Sequence, residues 1–248
     1  MNEVALITGS SRGIGAATAI RLAAAGYDIC VNYVSDQKAA NQVVAQIESR
    51  GARAIAVKAD VSKEEDVKQL FATIDAEFGA LHALVNNAGI LLKQCRVEDM
   101  TAVRINQLLT TNVTGYFLCS REAIKRMSTK HGGTGGAIVN VSSAAARIGA
   151  GGEYVDYAAS KGAIDTLTLG LATEVADEGI RVNGVRPGFI YTDMHKDGGE
   201  PDRVNRIKTQ LPLQRGGDVK EVAAAIAWLV SEESSYTTGS FIEVSGGR

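Results

Sequence analysis

Hydrophobic and polar positions follow two alternating patterns along the chain. Short apolar, β-branched runs at 4–8, 28–34, 53–58, 83–86, 137–141, 181–185 and 241–244 are strand-like. Between them, segments 16–25, 39–49, 67–78, 103–127, 157–176 and 219–229 place apolar residues three and four apart, which predicts helices. Ser62 with Glu65, and Asp218 with Glu221, have the spacing of capping boxes at helix starts. Gly26, Gly51, Gly79 and Gly179 mark helix ends. Seven strands alternating with six helices imply right-handed βαβ units. The expected fold is an α/β, Rossmann-like, doubly wound parallel sheet with helices on both faces. Its ligand belongs beyond the carboxyl ends of the strands, where the strand order reverses.

Composition narrows the class without changing that picture. The 248 residues are 45% hydrophobic and 22% charged with net charge -2, as in soluble globular proteins. No linker, charge block or repeat divides the chain, so one domain spanning 1–248 is expected. No Lys/Arg stripe offers phosphate neutralisation, which argues against nucleic acid as a partner. The most apolar run, 222–230, is about half a bilayer span, and the start leads directly into VALITG, so neither a membrane segment nor a signal sequence is expected. Cys30, Cys95 and Cys119 are odd in number and scattered, which fits reduced thiols and a cytoplasmic location. His82, His131 and His195 lack metal-ligand spacing.

The first strand runs into Thr8-Gly9-Ser10-Ser11-Arg12-Gly13-Ile14-Gly15 and then a helix. Glycines there let backbone approach a pyrophosphate, and the helix start offers free N–H groups and a positive dipole end. The spacing is G-x-x-x-G-x-G, not the usual G-x-G-x-x-G.

With that spacing, TGSSRGIG resembles the fingerprint of the short-chain dehydrogenase/reductase family. Asn86-Asn87-Ala88-Gly89, Asn112 in TNVTG, Ser142-Ser143, Tyr157-x-x-x-Lys161, and Arg186-Pro187-Gly188 with Thr192 resemble its later motifs in order and spacing. The resemblance covers the whole chain. It implies a nicotinamide-dependent oxidoreductase, with a cofactor half to about residue 140 and a catalytic and substrate half from about 141. By the same resemblance, Gly9, Ser11, Arg12, Gly13, Ile14 and Gly15 hold the pyrophosphate, and Asn87, Ala88 and Gly89 line the cofactor. Asp60 with Val61 flanks the adenine, although an Asp before a helix is often only a turn former. Pro187 and Gly188 back the nicotinamide, and Ile190 and Thr192 hold its carboxamide.

An NAD site usually carries an acid at the end of the second strand. Here the corresponding residue is Tyr33, so the acid is missing. Arg12 lies where NADP-binding relatives place a cation, and Asn32 or Ser35 offers hydrogen bonds. NADP(H) is therefore expected to be preferred, with NAD(H) possible.

Hydride addition to a carbonyl leaves charge on oxygen, which needs a proton donor. Tyr157 and Lys161, four apart on a helix, have Cβ atoms about 5 to 6 Å apart. An ammonium about 5 Å from a phenol at an effective dielectric of about 20 gives roughly 3 kcal/mol, enough to lower the phenol's pKa by about two units. Tyr154 lies about 10 Å along the axis from Lys161 and is expected to form pocket wall. Tyr157 with Lys161 is thus the proton-transfer pair. Ser143 is the hydroxyl the resemblance assigns to the substrate carbonyl; Ser142 is expected to bond backbone. Asn112, a poor helix former inside an apolar helix pattern, suggests a kink. By resemblance it also holds a water that relays protons to Lys161.

The resemblance includes β-ketoacyl-carrier-protein reductases and glucose dehydrogenases. Carrier-protein reductases present cations near the site entrance, whereas Glu178 and Asp177 occupy the matching positions here. Lys125, Arg126 and Lys130 form a separate basic patch. A small-molecule carbonyl or alcohol is the favoured substrate, its specificity set by 149–154 and by 191–211, a glycine-containing lid. The apolar faces of 103–127 and 241–244 fit the family's homotetramers.

Overall fold

The structure, a computed structural model, describes residues 2–248. Its strands are β1 (Val4–Ile7), β2 (Asp28–Tyr33), β3 (Ala54–Lys58), β4 (Ala83–Asn86), β5 (Gly136–Val141), β6 (Ile180–Pro187) and β7 (Phe241–Val244). They pair in parallel in one sheet, in the order β3-β2-β1-β4-β5-β6-β7. The order reverses between β1 and β4, and this places a crevice at their carboxyl ends.

The helices are α1 (Gly13–Ala24), α2 (Gln37–Glu48), α3 (Glu64–Phe78), α4 (Ala102–Leu109), α5 (Gly115–Met127), α6 (Ala145–Ile148), α7 (Val155–Glu174), α8 (Met194–Asp197), α9 (Arg203–Ile207) and α10 (Val219–Val230). Two cores result, because alternate strand residues point to opposite faces. Val4 and Leu6 of β1 pack with α3, α5 and α7; Ala5 and Ile7 pack with α1, α2 and α10. Both faces are covered, which explains why β1 is apolar throughout. Among the described residues no helix is long and apolar enough to cross a membrane.

Two local expectations need correction. The 103–127 helix is interrupted by a π-helical turn at Thr110–Thr114 that contains Asn112, so the kink takes the form of a wider turn within a continuous helical path. Ser62 does not cap α3: Lys63 precedes that helix, and the Ser62 hydroxyl donates instead to Asp60 Oδ1 at 2.7 Å. The second capping box forms as expected. Asp218 accepts from the Lys220 amide, and Glu221 accepts from the Asp218 amide, both at 2.8 Å.

Candidate active site

The glycine-rich turn sits at the sheet's switch point and is held from three sides. Gly9 has φ +62°, and a Cβ there would stand 3.0 Å from Ala88 Cα, so a glycine is required. A Cβ on Gly15 would meet Asn87 Nδ2 and the Gly9 carbonyl at 2.6 Å, which is why α1 can approach so closely. Asn87 Nδ2 donates to the carbonyls of Thr8 and Gly9 at 2.8 and 3.1 Å. Thr8 Oγ1 accepts from the amides of Asn87 and Ala88 at 2.9 and 3.0 Å. Arg12 provides no side-chain cap to α1, leaving its first-turn amides free for an anion. Half-buried Ser11 and Gly13 complete the turn. These residues fit a dinucleotide's pyrophosphate.

The end of β2 departs from expectation. Asn32 is fully buried and holds the turn from beneath, accepting from the Gly9 amide at 3.0 Å and donating to the Ala59 carbonyl at 2.9 Å. Its polar atoms face inward, so Asn32 cannot also grip a ribose phosphate. Tyr33, 6% exposed, packs in the core and offers no such contact either. Ser35 and Arg12 are exposed at this edge, and Arg12 Nη2 pairs with Asp197 Oδ2 at 2.6 Å. Asp36 caps α2 by accepting from the Ala39 amide at 2.9 Å. Asp60 Oδ1 accepts from the Ser62 amide and hydroxyl, in keeping with a turn former. The Val61 side chain is core, against Gly115.

Ser143, Tyr157 and Lys161 come together on one cavity. The π-turn carries Asn112 beneath it: Oδ1 accepts from the Ile90 amide at 2.8 Å and Nδ2 donates to the Ile90 carbonyl at 3.0 Å. Gly89 lies against Asn112 and Lys161, where a Cβ would be 3.4 Å from Asn112 Oδ1. Ser142 turns away from the cavity's reacting groups: its hydroxyl donates to Asp165 Oδ1 at 2.5 Å and lies 3.2 Å from the Lys161 carbonyl. Lys161 Nζ stands 5.7 Å from the Tyr157 ring centroid, yet its donors go to the Val141 carbonyl at 2.7 Å and Tyr116 Oη at 3.3 Å.

The electrostatic outcome reverses the simple expectation. Burial pushes the Tyr157 phenol up to about 12, and the neighbouring Ser143 hydroxyl opposes this. Burial likewise pulls the Lys161 ammonium down to about 7, with the Asp165 carboxylate opposing. Desolvation outweighs the attraction between the pair because both groups are out of water and the lysine is itself near its midpoint at neutral pH.

The cavity, about 130 Å³, gathers Ile14, Asn87, Ser143, Tyr157, Lys161, Pro187, Gly188, Ile190 and Thr192 from the expected set. Gly9, Ser11, Arg12, Gly13, Gly15, Asn32, Tyr33, Ser35, Asp60, Val61, Ala88, Gly89 and Asn112 do not line it. Its remaining wall is largely apolar, with Leu91, Ile148, Phe189 and Met194 beside Tyr154 and Arg203. The Tyr154 hydroxyl donates to the Gly198 carbonyl at 3.1 Å, so this tyrosine forms cavity wall and ties it to the residue after α8. Arg203, 7% exposed, is neutralised by Glu153 and Glu200, and Gln94 holds Glu200 at 2.9 Å. Three loops are thereby clasped around the cavity. His195 Nε2 lies 3.1 Å from the Ile190 carbonyl, and burial lowers that imidazole's pKa. Sequence reading missed Thr8, Tyr116 and Arg203, whose roles depend on partners distant in the chain.

Glu178 lies at the opposite end of β6 from Pro187 and accepts from Lys130 at 2.8 Å. It therefore does not guard this chain's own cavity. The basic patch is also neutralised, with Lys125 on Glu122 at 3.0 Å and Arg126 on Asp75 at 2.6 Å.

A parallel sheet with this strand order, a glycine turn at its switch point and Ser143, Tyr157 and Lys161 on one cavity define an oxidoreductase of the short-chain dehydrogenase/reductase family. The chain belongs to that family: residues 9–248 match the family model described as enoyl-(acyl carrier protein) reductase. Among its relatives, the uncharacterized oxidoreductase YgfF of Escherichia coli is 61% identical over 245 residues, 99% of each chain. The 3-oxoacyl-acyl-carrier-protein reductase FabG of Staphylococcus epidermidis is 36% identical over 247 residues, all of this chain and 99% of that one. A short chain dehydrogenase of Burkholderia cenocepacia, solved in complex with NADP, superposes with a TM-score of 0.90 at 36% identity, covering 99% of this chain and 97% of that one.

Proposed function

We propose that this protein is an NADP(H)-dependent oxidoreductase that interconverts a ketone or aldehyde and the corresponding alcohol, with Tyr157 as general acid/base. The observation that carries this reading is the convergence of Tyr157, Ser143 and Lys161 on a cavity with a largely apolar wall. The dinucleotide, when bound, supplies the hydride. Ser143 donates to the substrate oxygen and concentrates the developing charge there. Tyr157, high enough in pKa to keep its proton at neutral pH, is in the form a general acid needs. Lys161 supports the tyrosinate that results, and Asn112 anchors the relay beneath it.

For the cofactor, Gly9, Ser11, Gly13, Ile14 and Gly15 would cradle the pyrophosphate, with Asn87, Ala88 and Gly89 beside it. Pro187, Gly188, Ile190 and Thr192 would bound the nicotinamide. Arg12 and Ser35 favour a 2′-phosphate, and the Burkholderia relative that binds NADP supports the same preference. NAD(H) remains the weaker alternative. The cofactor half would then run to about residue 140 and the catalytic half from about 141. The compact, mainly apolar cavity, with the wall cation Arg203 already paired to Glu153 and Glu200, favours a small uncharged carbonyl over a sugar or a carrier-protein thioester. Exposed Val103, Phe117 and Leu169, on α4, α5 and α7, suit a homotetramer, and the nicotinamide chemistry and free thiols fit a cytoplasmic setting.

The test is NADPH oxidation against neutral diketones and aldehydes, acetoacetyl thioesters and sugars. Turnover with the neutral carbonyls, and kcat/KM higher for NADPH than for NADH, is expected. Faster turnover of acetoacetyl-carrier protein would overturn the small-molecule reading.

A further inference from the structure

Lys161 has a second tyrosine beside it. Tyr116, on α5, is 1% exposed; its hydroxyl donates to the Val141 carbonyl at 3.0 Å and accepts from Lys161 Nζ at 3.3 Å. Lys161 Nζ donates to the same carbonyl at 2.7 Å. The three groups close a triangle between α5, β5 and α7. Nζ lies 5.1 Å from the Tyr116 ring centroid and 5.7 Å from that of Tyr157, so the ammonium is shared between two phenol rings.

Position 116 is on the core face of α5, packed with Phe71, Cys119 and Ile138, where a hydrocarbon side chain would fill the space. A hydroxyl in such a place is costly unless it is hydrogen-bonded. The Val141 carbonyl satisfies its proton, and its oxygen remains to receive the lysine. Tyr116 therefore brings to Lys161 something that phenylalanine could not. Burial works against the lysine's charge, and the Asp165 carboxylate opposes it. The titratable groups around the pair are Tyr157 and Asp165 on α7, Cys119 on α5, and Arg186 on β6, which holds Asp165 at 3.0 Å.

We propose that Tyr116 is a positioning residue for the reaction: with the Val141 carbonyl it fixes Lys161 Nζ beside Tyr157 and supports the ammonium form, thereby setting the pH range over which Tyr157 exchanges its proton. The inference rests on the reading of Tyr157 and Lys161 as the acid/base pair. Tyr116 acts through the lysine and does not touch substrate.

Tyr116→Phe keeps the ring and removes only the oxygen, and Tyr116→Leu made in parallel gives a second side chain without a hydroxyl. Turnover at neutral pH should fall by about three- to tenfold while the KM for NADPH changes less than about twofold. The pH midpoint for alcohol oxidation should rise by about half to one unit, because a less charged lysine stabilises tyrosinate less. A readout independent of activity is the side-chain ¹⁵Nζ resonance of Lys161, identified by its loss in Lys161→Met; its titration midpoint should move down by a similar amount. In the Lys161→Met background, Tyr116→Phe should have no further effect on residual turnover. A lower Tm with an unchanged pH midpoint, unchanged lysine titration and the same rate factor in both backgrounds would make Tyr116 merely structural and overturn the inference. Failure of the underlying reading looks different: Tyr157→Phe would then retain turnover, which would remove both.

Discussion

Arg12 on the glycine-rich turn and Asp197 on α8 are 185 residues apart in sequence and meet at 2.6 Å. The contact links the turn that would receive a cofactor phosphate to α8, whose Met194 and His195 line the cavity. Both side chains are about half exposed, so the pair contributes at most about 1 kcal/mol to stability. Its larger effect is on Arg12 itself, since a 2′-phosphate would compete with Asp197 for the guanidinium. Asp197→Asn should lower the KM for NADPH by about two- to fivefold, leave that for NADH unchanged, and barely alter Tm. Arg12→Ala should cut kcat/KM for NADPH by about ten- to a hundredfold and spare NADH. Equal changes with both dinucleotides would show that the pair only ties the turn to α8.

Tyr157 and Tyr154 flank the start of α7, and their hydroxyls have different neighbours. Tyr157→Phe should reduce turnover by at least about a thousandfold while NADPH binding, read by fluorescence, persists. Tyr154→Phe removes the bond to the Gly198 carbonyl and should change substrate KM by a few fold with kcat nearly intact. A lethal Tyr154→Phe would reverse the assignment.

Lys161 gives stability a pH dependence of definite sign. Its pKa is about 7 in the folded chain against an ordinary 10.5, so between these values the unfolded chain binds more protons. Stability from this residue therefore rises with pH across that window, and its cost is fully present below pH 7. Lys161→Met should be more stable than the parent at pH 7, by an amount that shrinks toward pH 10. Urea denaturation at pH 7, 8.5 and 10 measures this; a constant difference would mean that the lysine stays charged when folded.

Gly15→Ala tests the close approach of α1 to the turn. The new methyl would meet Asn87 and the Gly9 carbonyl, so a loss of about 1 to 3 kcal/mol in stability is expected. NADPH binding should weaken along with it, because Asn87 holds the turn's carbonyls. Unchanged binding by calorimetry would separate the turn from the cofactor.

The seven strands and the Tyr157–Lys161 pair were legible because they depend on local period and spacing, whereas Ser143 was reached only through the family resemblance. What sequence could not reveal depended on partners far along the chain. Asn32 read as a surface donor because its bonds to Gly9 and Ala59 come from other elements. Ser62 read as a cap because its bond to Asp60 competes with a helix start. Tyr116 drew no notice because its ring merely fits the apolar period of its helix, which says nothing about where the hydroxyl bonds. The sign of the Tyr157 shift was missed for another reason: the attraction to Lys161 was countable from spacing, but the burial that outweighs it was not.

Placing β1 at the centre of the sheet also affects synthesis. Of the seven strands β1 is made before the others; β2 supplies the partner for one of its edges, but the other edge must wait for β4 to emerge. At about 5 to 20 residues per second, the intervening segment takes roughly 4 to 15 seconds to make. During that interval the nascent chain carries an apolar strand with one unpaired edge, a template for wrong pairing. The glycine turn that follows β1 cannot reach its final form until Asn87 arrives, so the cofactor cradle and the protected sheet centre are completed in the same step.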